Sequence, residues 1–139
     1  MSATLTFLDK VCHHYLPAEP VELLLTGRGA GGLQSGNQAE VAWAGDAWVI
    51  RLDPGRRPEW LLDTLHEICH LRNGDVRKTP LSPLSEEEAL AWYAKYLNEV
   101  IDEAARLRVE YELRAEEFAR REAPKWQARW EEALRADGF

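Results

Sequence analysis

The stretch TLHEICHLRNGD, Thr64 to Asp75, sets two histidines four residues apart, with a glutamate directly after the first. In a helix, residues i and i+4 point about 40° apart and lie one turn along. His66 and His70 can therefore converge on one cation, with Glu67 at the next position round. Leu61, Leu65, Ile68 and Cys69 cluster on a separate face, with Leu62 at its edge. This spacing predicts a helix over 58–73, with Pro58 in its first turn and Gly74 at its C-terminal cap. His66, Glu67, His70 and Asp63 lie opposite the apolar face, which favours metal ligation over core histidines. The plain alternative is a solvated polar face. About one shuffled chain of this composition in a hundred would contain HExxH, so the match is informative.

Zinc is the cation this pattern serves. Zinc lowers the pKa of a bound water to about 7, and a glutamate beside the two histidines can hold that water and take its proton. Two histidines do not complete a catalytic site, which needs three protein ligands and an open position. Downstream, SEEEALAWYAKYL (Ser85–Leu97) begins with a capping box, Ser85 and Glu88, and so opens another helix. Glu88 can supply the third ligand if that helix packs on the first. Spacing alone leaves Glu86 and Glu87 open. Asp75, five residues past His70, would need a turn back. Asp63 is either a partner orienting an imidazole or a solvated carboxylate.

Outward from the motif, three runs read as strands: VELLL (Val21–Leu25), QAEVAWA (Gln38–Ala44) and AWVIRLD (Ala47–Asp53). Gly45-Asp46 makes the last two an antiparallel hairpin, expected to close a small antiparallel three-stranded sheet. TLTFLDKVCHHYLP reads as an N-terminal helix, with Leu5, Leu8, Cys12, Tyr15 and Leu16 on one face. TGRGAGG (Thr26–Gly32) is a glycine-rich turn or flap, and no Gly-Lys-Ser/Thr follows to make it a phosphate loop.

A long C-terminal helix follows. Leu90, Leu97, Ala104, Tyr111 and Phe118 recur every seven residues, with Ala94, Ile101 and Ala115 as a second row that Arg108 breaks. Pro124 is expected to break or restart it. Trp126, Trp130 and Leu134 form a last stripe that either folds back on the core or anchors a partner. The expected fold is α+β: a core over 1–97 and a helical extension over 98–139, within one domain or as a protruding arm.

Composition agrees with one globular domain of 139 residues, 45% hydrophobic and 29% charged. No apolar run is long enough to span a membrane. The start MSATLTFLDK lacks the pattern of a secretory signal, and Cys12 and Cys69 form no CxxC pair, so a reduced, cytoplasmic protein is expected. The net charge of −7 opposes phosphate backbones and argues against direct nucleic-acid binding. It leaves a basic protein surface open as a partner.

The order of helix, small sheet, HExxH helix and glutamate-bearing helix resembles the compact gluzincin-type zinc peptidases. It is most similar to the ImmA/IrrE family of metallopeptidases, including short phage-encoded members. That family shows T-L-x-H-E-x-x-H followed by E-A-x-x-F-A-x-x-L. Here TLHEICH is one residue shorter before His66, and EALAWYAKYL has Trp92 at the aromatic position and Tyr93 in place of the small residue. The resemblance implies that His66, His70 and Glu88 bind Zn2+ and that Glu67 is the general base. The implied activity is hydrolysis of peptide bonds in a cytoplasmic protein substrate.

It extends over roughly 21–97 and does not reach the C-terminal helix. In such folds an edge strand beside the cleft can bind an extended peptide, which points to Trp48–Leu52. His13, His14, Tyr93 and Tyr96 are candidates for oxyanion support, with surface or packing roles as the bland reading. The rival function is a non-catalytic protein-binding regulator on a zincin-like scaffold, such as a phage-type protein binding host transcription machinery, with the C-terminal helix or an exposed face contacting the partner.

Overall fold

The computed structural model describes residues 2–27, 33, 38–76 and 99–139, the last stretch with side chains from 109 onward. The elements are α1 (Ala3–Tyr15), β1 (Val21–Leu25), β2 (Ala39–Trp43), β3 (Trp48–Leu52), a 3₁₀ segment (Pro54–Glu59), α2 (Trp60–Arg72) and α3 (Glu99–Ala136). The protein is α+β with a small three-stranded sheet and a long C-terminal helix, as expected. The Ser85 helix start, the 90–108 part of the seven-residue repeat and the candidate residues Glu86, Glu87, Glu88, Tyr93 and Tyr96 lie outside the residues described by side chain.

α1 begins at Ser2, whose hydroxyl accepts from the Leu5 amide. Its buried face contains Leu8, Val11 and Cys12, with Leu5 and Tyr15 packed partly buried against the core. Burial pushes the Cys12 thiol up to about 12, so it behaves as a small core residue rather than a nucleophile.

The sheet order is β1–β3–β2. β2 and β3 pair antiparallel around Trp43↔Trp48, with Gly45 at φ +96° in the turn. β1, however, pairs parallel with β3, Val21 opposite Trp48 through Leu25 opposite Leu52, so the sheet is mixed rather than wholly antiparallel. A parallel pair needs a long crossover. Here the chain between β1 and β3 travels through β2 on the far side. β3 thereby becomes the central strand, with alternating Trp48, Ile50 and Leu52 buried. That placement excludes Trp48–Leu52 as a peptide-binding edge; among the described strands β1 and β2 are the outer ones.

α2 starts two residues later than the sequence spacing predicts. Asp53 caps a 3₁₀ turn through the Gly55 amide (2.9 Å), and the Trp60 indole donates to the Asp53 carbonyl (2.7 Å). The backbone leaves the helical region at Arg56 (φ −116°, ψ 25°), so helix proper begins only after this 3₁₀ segment. The helix ends as expected at Gly74, φ +70°, with Asp75 N–H donating to the His70 carbonyl at 3.0 Å.

α3 runs unbroken through Pro124, contrary to the expected break. A proline costs a helix interior about 3 kcal/mol. Its neighbours on the buried face, Ala123, Trp126 and Trp130, tie this stretch to α1 and the 3₁₀ segment, and burying one tryptophan offsets a cost of that size. The two indoles fold back on Phe7 at 6.0 and 5.9 Å, donating to the Tyr15 hydroxyl (2.9 Å) and the Pro58 carbonyl (3.2 Å). Ala115, Phe118, Ala119, Ala123, Trp126, Trp130 and Ala133 belong to the same hydrophobic cluster as α1, β3 and α2, so this face of α3 packs on the core. None of the described helices is long and apolar enough to cross a membrane.

Candidate metal centre

α2 is enclosed on both sides. Its apolar face, Leu61, Leu65, Ile68 and Cys69, is buried as the periodicity requires, and Leu62 stays exposed at the edge. Its polar face is not solvated. Asp63, Glu67 and His70 are buried too, and His66 keeps only 26% of its side chain exposed.

Burying polar groups demands partners, and most have them. Asp63 receives a two-pronged contact from Arg56, Nε at 3.1 Å and Nη2 at 3.0 Å. Burial raises its pKa, and Arg56 counteracts this. Asp63 is therefore neither a free surface carboxylate nor an imidazole-orienting partner.

The imidazole partner is Asp75. The αL turn at Gly74 brings its carboxylate back to His70 Nδ1 at 3.0 Å, with only 6% of the Asp75 side chain exposed. A carboxylate on Nδ1 holds the proton there and leaves the Nε2 lone pair free for a metal. The sequence makes Asp75 a possible ligand; in the structure its carboxylate stands behind His70 instead.

His66 Nε2 and His70 Nε2 lie 3.2 Å apart. Glu112, from α3, completes the triangle: Oε2 is 2.8 Å from His66 Nε2, and Oε1 is 3.1 Å from His70 Nε2. One donor atom from each residue falls within 4.8 Å of the others. Tetrahedral zinc with Zn–N of about 2.0–2.1 Å separates its ligand atoms by about 3.3 Å. Two imidazoles, one carboxylate and these spacings fit a divalent cation of that kind with little adjustment.

Glu112 was not anticipated. It is one of many glutamates on a charged helix, and charges outside the seven-residue seam read as solvated. The available signal was its place beside Tyr111 and three residues before Ala115, at the border of the packing face. Glu88, the expected third ligand, lies outside the described residues.

Glu67 differs from Asp63, His66 and His70 on the same helix, each of which has a side-chain partner. It is 7% exposed, and among the described residues nothing hydrogen-bonds its carboxyl. Burial pushes its pKa up from 4.5 to about 8, with the negative charges of Glu112, Asp63 and Glu40 adding to the rise. A carboxyl held this way beside two imidazoles is suited to proton transfer near neutral pH. A dication in the triangle would offset the neighbouring carboxylates and draw Glu67 back toward its ionised form.

His13 is exposed and turned to the Asp9 carbonyl (2.8 Å), while the His14 ring packs against Tyr15 and Trp126. Neither joins the triangle. No family profile, curated protein or solved structure matches this chain.

Proposed function

We propose that this protein is a zinc-dependent peptidase of the compact gluzincin type, similar to the ImmA/IrrE metallopeptidases. The observation that supports it best is the convergence of His66, His70 and Glu112 at ligand spacing, with Asp75 behind His70. Bound zinc supplies Lewis acidity and a water acidic enough to lose its proton at neutral pH. The residues divide the remaining work. His66, His70 and Glu112 would hold the ion. Asp75 fixes the His70 tautomer. Glu67 accepts the proton from the attacking water and returns it to the leaving amine.

An extended polypeptide substrate would pair with β2, which packs against α2 and brings Glu40 close enough to influence Glu67. This replaces the central strand β3 in that role.

Metal analysis of the purified protein tests the reading. One zinc per chain is expected, lost in His66→Ala. Glu67→Gln should keep the zinc and lose cleavage of a mixed peptide pool. A wild-type protein that binds no zinc under metal-replete conditions sinks the peptidase.

A second reading is favoured by the same distances. At 2.8 and 3.1 Å, Glu112 also makes ordinary charge-assisted hydrogen bonds to both imidazoles, so the cluster closes on itself without an ion. A protein-binding regulator on this scaffold would bind its partner equally well after Glu67→Gln.

A further inference from the structure

Between the C-terminal end of α2 and the middle of α3 lies an open cavity of about 350 Å3, within the size range of small-ligand sites. Arg72 and Asn73 line it from one side; Arg114, Glu117, Phe118 and Arg121 line it from the other. Three guanidinium groups against one carboxylate reverse the sign of a chain whose net charge is −7.

Each guanidinium is held by an aromatic ring. Arg72 lies 5.6 Å from the Phe118 ring centre and 5.7 Å from that of Tyr15. Arg121 is 5.7 Å from Phe118, and Arg114 is 5.0 Å from Tyr111. A ring under the guanidinium face restrains the side chain without consuming its in-plane N–H donors.

Carboxylates consume few of those donors. Arg114 reaches Asp75 and Arg121 reaches Glu122, each through one contact of 3.5 Å. Both carboxylates have closer partners, His70 Nδ1 at 3.0 Å and Lys125 Nζ at 2.8 Å. No ion pair holds Arg72 among the described residues.

We propose that this cavity binds a small phosphate monoester, its phosphoryl oxygens taken by Arg72, Arg114 and Arg121 and its organic part lying on Phe118. A phosphoryl group offers three terminal oxygens and nearly two negative charges, against two oxygens and one charge for a carboxylate. It therefore matches the excess of two positive charges among the lining residues and the number of unfilled forks. The site is independent of the proposed peptidase chemistry, because none of its lining residues is a metal ligand.

Isothermal titration of the full, chelator-treated chain at constant ionic strength tests it. The probes are inorganic phosphate, phosphotyrosine, a nucleoside 5′-monophosphate and succinate. The expected order places one or both organic monoesters above inorganic phosphate, with succinate weakest. Which monoester wins distinguishes an aryl phosphate from a nucleotide source. The double variant Arg72→Gln/Arg121→Gln changes two exposed side chains and should keep the wild-type melting curve. It should bind at least about tenfold more weakly. Undiminished binding by the double variant, succinate binding as tightly as the monoesters, or no binding by the wild type would each overturn the proposal. So would binding that His66→Ala abolishes, since it would place the anion at the histidine cluster and not in this cavity.

Discussion

Glu67 and Asp137 are both carboxylates withdrawn from solvent, and their surroundings drive them in opposite directions. Asp137, just beyond α3, accepts from the Ala3 and Thr4 amides (both 2.9 Å) and from the Thr4 hydroxyl (2.6 Å), and lies 3.5 Å from Arg57. Those donors pull its pKa down to about 2. Glu67 is buried beside other carboxylates with no such donor among the described residues, and its pKa rises to about 8. The first carboxylate closes the fold, joining the last residues of the chain to the open amides at the start of α1. The second is held in a form that the fold alone does not favour ionising. A carboxylate met by several donors is structural; one buried beside other carboxylates, next in sequence to His66, is available for chemistry.

Glu67→Gln should produce the largest effect. With zinc bound, peptide cleavage is expected to fall roughly 10²–10⁴-fold, the range for a lost general base, with metal content unchanged. Without metal, the same substitution should flatten a pH dependence. The folded-state pKa of Glu67 lies above its unfolded value, so the native state retains a proton the unfolded chain has released. Stability of the metal-free wild type should therefore fall as pH rises from about 4.5 to about 8, by an amount of order a few kcal/mol. Urea denaturation of both proteins across that window measures it. A flat wild-type profile would mean that Glu67 finds a partner and resembles Asp137 after all.

The carboxylates around the histidines come next. Asp75→Asn should keep the fold and weaken zinc affinity about 10–100-fold, as removal of an imidazole's carboxylate partner does. Glu112→Ala removes a ligand outright and should release the metal more readily than Asp75→Asn. Competition with a chelator ranks the two. Glu88→Ala, measured beside them, decides whether Glu112 is the third ligand by itself. Retention of zinc by Glu112→Ala with loss in Glu88→Ala would return the assignment to the helix start expected from sequence.

The contrast also explains what the sequence made legible. The helix carrying HExxH, its apolar stripe and its Gly74 cap all follow from local spacing, and each is present. The β2–β3 hairpin was visible for the same reason. The parallel β1–β3 pairing was not, because its hydrogen bonds join residues 27 apart and no local turn announces them. Pro124 misled because helix propensity is local, whereas Trp126 and Trp130 derive their burial from α1 and the 3₁₀ segment. The two ends of the site divide likewise. His66, Glu67 and His70 lie within five residues, while Glu112, on another helix, is 46 residues from His66. The burial of the motif's polar face was equally hidden, since periodicity separates polar from apolar faces but does not say what covers either.

The smallest expected effect belongs to Asp137. Its folded-state pKa lies below the ordinary value of 3.8, so its contribution to stability is complete above about pH 4 and is lost as pH falls toward about 2. Asp137→Asn should be less stable than wild type at neutral pH, because an amide presents N–H groups where the Ala3 and Thr4 donors need acceptors. It should also lack the part of the acid-side decline that titration of this carboxyl causes. The two stability curves should therefore converge as pH falls through that window. This is opposite in sign to the Glu67 effect and lies at the other end of the pH scale, so a single pair of denaturation series separates the two carboxylates. Parallel wild-type and Asp137→Asn curves between pH 4 and 2 would show that the hydrogen bonds to α1 contribute no pH-dependent stability, and that Asp137 closes the fold by packing and position rather than by charge.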